Sequence, residues 1–244
     1  MKKIVALLLL FAMTSTFIAC GNDDINGESQ TSEHSSEADT STTDTSTTDT
    51  SAADTSTEDT SATDDEKASL GSTTTSVYES SFIGIGWTLL DEWLFATEEQ
   101  MDQINALVLE IINEDTELVL PGGSTVCDMY AYDIYGSNVN IQLEKLNAVN
   151  AILITEESYG KLSLDLIKDS YTSLGYTDTN VSSTTVKIGD AEHSGIVSSC
   201  VYQGVTVYQK MAFIKQGSYM CVITASSANE EVIDSIFASF YTIK

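Results

Sequence analysis

Between Asp39 and Thr63 the chain reads DTSTTDTSTTDTSAADTSTEDTSAT, a five-residue unit, D-T-S-x-x, five times over, and Asp64 starts a sixth. A short fixed period can mark a solenoid. A solenoid needs an apolar residue in each unit to fill its axis, and these units offer only Asp, Thr, Ser, Glu and Ala. Nothing in them can offset roughly 1–2 kcal/mol of backbone entropy per residue. A Ca²⁺-binding repeat is excluded too, because the run holds no glycine turn and no inward aliphatic residue. The same composition runs from Gly21 to Ser76, with 14 acids and one lysine, Lys67. This stretch is expected to be a disordered, charge-extended spacer. A neutral flexible chain of its length spans about 40 Å, and repulsion between like charges lengthens it. A packed core must therefore come from the remainder.

The chain begins MKKIVALLLLFAMTSTFIAC. Two lysines precede an uncharged, mostly apolar run from Ile4 to Ile18. The run falls short of the about 20 apolar residues of a comfortable membrane span, and it reads as a secretory signal. Its end, Phe17-Ile18-Ala19-Cys20, resembles a bacterial lipobox, with Phe17 where Leu is usual. The resemblance implies that Cys20 is lipidated and becomes the mature N-terminus, leaving the protein anchored on the extracytoplasmic face of the membrane. Two acyl chains suffice for stable anchoring. On this reading residues 1–20 are the lipoprotein signal, 21–76 the tether and 77–244 a single globular domain.

From Val77 the aliphatic and aromatic residues return. SFIGIGWTL (81–89) reads as one strand. TEEQMDQINALVLEII (97–112) reads as a helix, with Thr97 and Gln100 as a capping box and Met101, Ile104, Leu107, Val108 and Ile111 at helical spacing. Residues 125–134 and 138–146 read as a hairpin around Gly136-Ser137. Val139, Ile141 and Leu143 alternate with polar residues, the mark of a half-buried strand. Residues 157–176 read as a second helix stopped by Gly175. A three-strand meander follows at 192–202, 205–214 and 218–225, turning at Gln203-Gly204 and Gln216-Gly217. SSANEEVIDSIFASF closes the chain as a helix, with Ser227 and Glu230 as a second capping box. The predicted class is α+β, an antiparallel sheet with helices packed on it.

FIGIGWTLLDEWLFATEEQM, VCDMYAYD, NVNIQLE, the IGDAEHSGI turn and YQKMAFIKQGSYMCVITA with its terminal helix resemble a family of surface lipoproteins from anaerobic Firmicutes. More distantly, the order of elements is similar to the PsbP/DcrB-like fold, an α/β/α sandwich. The resemblance implies a binding or envelope assembly and stress module, and no active site. It also implies that Trp93, between the first strand and first helix, caps the core.

Catalytic motifs are scarce. His34 lies in the spacer. His193 sits near Asp190 and Glu192 in GDAEHSG, and this set reads as a turn histidine beside solvated acids rather than a metal site, since a catalytic zinc site uses three well-placed protein ligands. There is no G-x-S-x-G, no H-E-x-x-H and no glycine-rich phosphate loop. No cofactor and no metal are expected. The alternative to a binding module is a carboxylate-based hydrolase of envelope polymers, which needs two acids across a cleft. The net charge is −27 and the chain holds no arginine, which excludes a nucleic-acid partner. The expected partners are the membrane, through the lipid, and an envelope protein or glycan.

Cys200 and Cys221 fall on the first and third meander strands, about 9–10 Å apart. A disulfide needs Cα atoms within about 7 Å, so buried free thiols are expected. Tyr130, Tyr132 and Tyr135 on one hairpin arm, with Tyr202 and Tyr208 flanking a turn, make up the candidate binding surface.

Overall fold

The computed structural model describes residues 68–113 and 124–243. The expected signal segment, Cys20 and most of the spacer lie outside them. Two antiparallel sheets form. The larger has the order β4 (Leu94–Phe95), β5 (Ser124–Tyr132), β6 (Asn138–Lys145), β10 (Tyr219–Ser227), β9 (Val205–Gln216), β8 (Ala191–Tyr202) and β7 (Thr177–Ile188). The smaller has the order β1 (Ser72–Thr73), β2 (Val77–Ser80), β3 (Ile85–Thr88) and β11 (Phe240–Thr242). Four helices are described: α1 (Glu98–Asn113), α2 (Ala148–Leu153), α3 (Glu156–Ser173) and α4 (Glu230–Ala238). The α+β class with antiparallel pairing is therefore as expected.

The central strands of the large sheet, β6 and β10, are buried on both faces. On one face, Val139, Ile141, Leu143, Ala212, Cys221 and Ile223 meet the small sheet and α4 around Trp87. On the other, Met211, Phe213, Met220 and Val222 pack beneath Tyr159, Ile167 and Tyr171 of α3. Ile104 and Val108 of α1 cover Cys127 and Tyr130. Strand β6 thus departs from the half-buried reading: its polar residues Asn138, Asn140, Gln142 and Glu144 are buried as fully as its apolar ones.

Local chemistry explains most element ends. Thr97 and Gln100 form the expected capping box, with the Thr97 amide donating to Gln100 Oε1 at 2.8 Å. Gly175 follows α3 at φ +79°, the left-handed turn that frees a helix end. The last helix starts differently from expectation. Asn229 caps α4 by accepting from the Glu231 amide, while Ser227 accepts from the Asn229 amide one step earlier. A single strand over 81–89 is also corrected. Gly84, at φ +72°, turns the chain between β2 and β3, so the segment is the second half of a hairpin.

Folding begins ahead of Val77. Ser72 and Thr73 pair with Glu79 and Tyr78. The Gly71 amide donates to both Asp128 oxygens, at 2.9 and 3.1 Å, and the Tyr78 hydroxyl donates to Asp128 Oδ2 at 2.7 Å. Burial pushes the Asp128 carboxyl above its usual range, and the Tyr78 and Gly71 donors partly offset this. Trp93 is buried against Trp87, with ring centroids 6.0 Å apart. Cys127, Cys200 and Cys221 are buried free thiols, and β9 separates β8 from β10 as the meander reading requires.

Candidate functional site

The five tyrosines do not share one surface. Tyr130 is buried under α1 with Tyr132 beside it, ring centroids 6.1 Å apart. Tyr135 stands in the β5–β6 turn and is 77% exposed. Tyr202 stacks on Tyr176 at 5.0 Å, on the α3 face of the large sheet. Tyr208 points to the opposite face, against the core that holds α4. Strand alternation accounts for this last split, because successive side chains point to opposite faces.

His193 lies on strand β8 rather than in a turn. Its Nδ1 is 3.1 and 3.2 Å from the two oxygens of Glu156, the first residue of α3. The β8–β9 ladder runs from Tyr202↔Val205 to Gly195↔Ala212. Just past its end, the Lys215 amide donates to Glu156 Oε1 at 3.0 Å. One carboxylate thus joins a helix to two strands where their own pairing stops. Burial alone would raise the Glu156 carboxyl, but His193 and the Lys215 and Ser194 backbone hold it below its usual value. This is an ionised structural brace. Replacing Glu156 by Ala removes charge-assisted hydrogen bonds worth about 1.5–3 kcal/mol. For a domain of this size that lowers the melting temperature by roughly 3–12 °C. A thermal melt at neutral pH checks it, and a variant that melts with the parent would contradict the brace. Among the described residues no group of three His, Cys, Asp or Glu side chains could hold a metal.

Tyr208 belongs to an open groove on its face of the sheet. Two adjoining lobes, of about 540 and 280 Å³, share Val197, Lys210 and Glu230. Edge strand β7 supplies the rim, because Asn180, Ser182 and Thr184 recur at every second residue and share a face. Ser199 and Tyr208 extend it across β8 and β9, and Phe237 of α4 forms the far wall. Lys210 is held in place. Its ammonium pairs with Asp234 of α4 and lies 5.5 Å from the centre of the Phe237 ring. The groove therefore offers hydroxyls, amides, an aromatic ring, the paired Lys210, a second lysine, Lys187, and the Glu230 carboxylate. That set suits an uncharged, hydroxyl-rich ligand. Among the described lining residues the only carboxylate is Glu230.

The sequence reading missed this site in part. Tyr208 was a candidate, but its neighbours come from β7, a Ser/Thr-rich strand with no strand signature, and from a helix more than 20 residues along the chain. Ser183 and Thr185 are as polar as Asn180, Ser182 and Thr184, so no alternation in β7 marks its groove face.

No protein-family model matches the chain, and no curated protein matches it. Among solved structures, one from Bacteroides thetaiotaomicron shares 12% identity at a TM-score of 0.34, over 70% of this chain and 49% of that one. The present chain thus spans about half of that protein's length. A second is LpqN, involved in cell envelope biogenesis of Mycobacterium tuberculosis, with 11% identity and a TM-score of 0.33, over 66% of this chain and 83% of that one. Neither carries a PsbP or DcrB description. Overlaps this loose leave function to be argued from the chain's own residues.

Proposed function

We infer that this chain is an extracytoplasmic lipoprotein, anchored through Cys20, whose spacer presents a domain that binds envelope glycan in the Tyr208–Lys210 groove. The observation that carries this reading is the groove itself: hydroxyl and amide groups at strand spacing along one rim, with the Phe237 ring and the paired Lys210 opposite. Among the described residues no helix is long and apolar enough to cross a membrane. The attachment in this reading rests on the lipobox-like FIAC sequence alone. The charge of −27 and the lack of arginine disfavour nucleic acid. A two-carboxylate hydrolase needs a facing pair of acids, and among the described residues lining this groove Glu230 is the one carboxylate, which favours binding over cleavage there.

Cosedimentation of the full chain with purified, protein-free cell-wall glycan tests it. The parent is expected to pellet saturably, and Tyr208→Ala with Ser182→Ala to weaken that binding about tenfold while melting within a few degrees of the parent. A parent that stays in the supernatant, or a variant that pellets equally, would overturn the groove assignment.

A further inference from the structure

Helix α2 turns its apolar side outward. Ala151 and its C-cap Ile154 pack partly against the core on the α3 face of the large sheet. Asn147 caps its start by accepting from the Asn150 amide at 2.8 Å. No residue of the helix is buried. Val149, Ile152 and Leu153 are 63, 82 and 69% exposed. At i, i+3 and i+4 they share one face. Single apolar residues at a surface are ordinary, but adjacent ones forming a patch mark a surface with a partner.

Two observations say what covers the patch. The first is where the chain joins the domain. Strand β6 ends at Lys145, paired with Tyr219 beside the β9–β10 turn, and the Leu146 amide donates to the Ser218 carbonyl at 2.7 Å just before α2 begins. The amide of Ala68, the first described residue, donates to the Tyr219 hydroxyl at 3.5 Å. The residues that lead back from Ala68 to Cys20 thus meet the domain at the end that carries α2. The second observation is charge. From Leu146 to Thr155 no charged residue occurs, in a chain that holds 37 acids. Lys145 immediately precedes this run, and the Lys215 ammonium donates to the Ala151 carbonyl on the helix itself. The next acids, Glu156 and Glu157, are paired with His193 and Lys161. An apolar face edged by lysines is attracted to an anionic bilayer surface.

We propose that α2 is a membrane-contact element, with Val149, Ile152 and Leu153 entering the headgroup–acyl boundary of the bilayer that holds the Cys20 lipid. This rests on the Cys20 anchorage inferred above. Three side chains bind a bilayer weakly on their own. The anchor keeps the domain at high effective concentration beside the lipid, so the contact needs little affinity of its own. The contact also sets orientation. Tyr208 faces Ser227 at one end of β10, and Gln216 faces Tyr219 at the other, which places the two ends about 27 Å apart along β9. With α2 on the lipid, the Tyr208 end of the groove points away from the membrane.

The test uses the lipidated chain in vesicles of phosphatidylcholine and phosphatidylglycerol, comparing brominated with unbrominated acyl chains. Ile152→Trp places an indole on the contact. Ile134→Trp places one on the β5–β6 turn at the far end of the sheet, where Ile134 is exposed to a similar degree. Trp87 and Trp93 are buried and cancel against the parent. An interfacial helix buries its apolar face roughly 5–10 Å, so bromine should dim the Ile152→Trp indole about twofold. The Ile134→Trp indole should be unaffected. Adding Val149→Asp and Leu153→Asp to Ile152→Trp should abolish the quenching without lowering the melting temperature, because both positions are exposed. No quenching of Ile152→Trp, or equal quenching of Ile134→Trp, would overturn the proposal. So would a blue shift without quenching that grows with protein density, the sign of a second copy covering the face. Intact mass tests the anchorage separately. A chain with no acyl mass on Cys20 refutes the natural anchor, and coupling the Cys20 thiol to a maleimide lipid then puts α2 through the same test, since Cys127, Cys200 and Cys221 are buried.

Discussion

Replacing Trp87 by Ala should bring the domain close to unfolding. Trp87 is wholly buried at the centre of β3. Its ring packs edge-on against Trp93 and Phe95 and tilted against Phe240, with centroids 5.9–6.1 Å away. Its indole N–H donates to the Ile236 carbonyl of α4 at 3.0 Å. The residue therefore ties the small sheet, the last helix and the large sheet into one core. Removing such a ring costs about 3–5 kcal/mol in transfer and cavity energy. Whole domains hold only about 5–15 kcal/mol. The expected fall in melting temperature is roughly 6–20 °C. Trp87→Phe keeps most of the packing and orphans the Ile236 carbonyl, so it should fall between the parent and Ala. Thermal melts followed by circular dichroism check the order, and an Ala variant within about 2 °C of the parent would contradict this account of the core.

Stability should also rise as the solution is acidified from pH 8 to about 5. Burial raises the Glu144 carboxyl above its usual value, partly offset by the Tyr159 donor, and Asp128 is raised for the same reason. A carboxyl that holds its proton longer in the folded chain gives stability that is fully present below the unfolded value of about 4.3. That contribution is lost as pH rises through the folded value. Glu156 acts in the opposite sense: its contribution is present above the unfolded value and is lost as pH falls through its lowered folded value. The profile should therefore climb on acidification to about pH 5 and turn down below about 4. Net repulsion in so acidic a chain pushes in the same direction, but it is screened by salt while a buried carboxyl is screened far less. In 0.5 M salt the melting temperature at pH 5 should still exceed that at pH 8, and Glu144→Gln should raise the pH 8 value and narrow the gap. A flat profile in high salt would contradict the buried-carboxyl account.

Features written in local sequence were legible. The α1 capping box, the α3 stop at Gly175, the β5–β6 hairpin and the β8–β9–β10 meander all depend on residues a few positions apart. What could not be read depends on partners far along the chain. Strand β11 is three residues long and exists because Phe240 pairs with Trp87. Strand β7 is polar along most of its length and is held by its ladder to β8. The alternation in β6 identified its core face but not the burial of Asn138 and Asn140 on the opposite one. The candidate site shows the same limit. Tyr208 was legible as an aromatic beside a turn, while Lys210, Asp234 and Phe237 become neighbours only when α4 docks on β9.

The central claim is that the groove beside Tyr208 binds envelope glycan. It is tested most directly by titrating soluble cell-wall glycan fragments into the isotope-labelled full chain and following backbone amide shifts. The account predicts saturable shifts confined to residues 180–185, 197–199, 208–210 and 230–237, weakened in the Tyr208→Ala chain. Shifts that never saturate, or that cluster away from these residues, would contradict it.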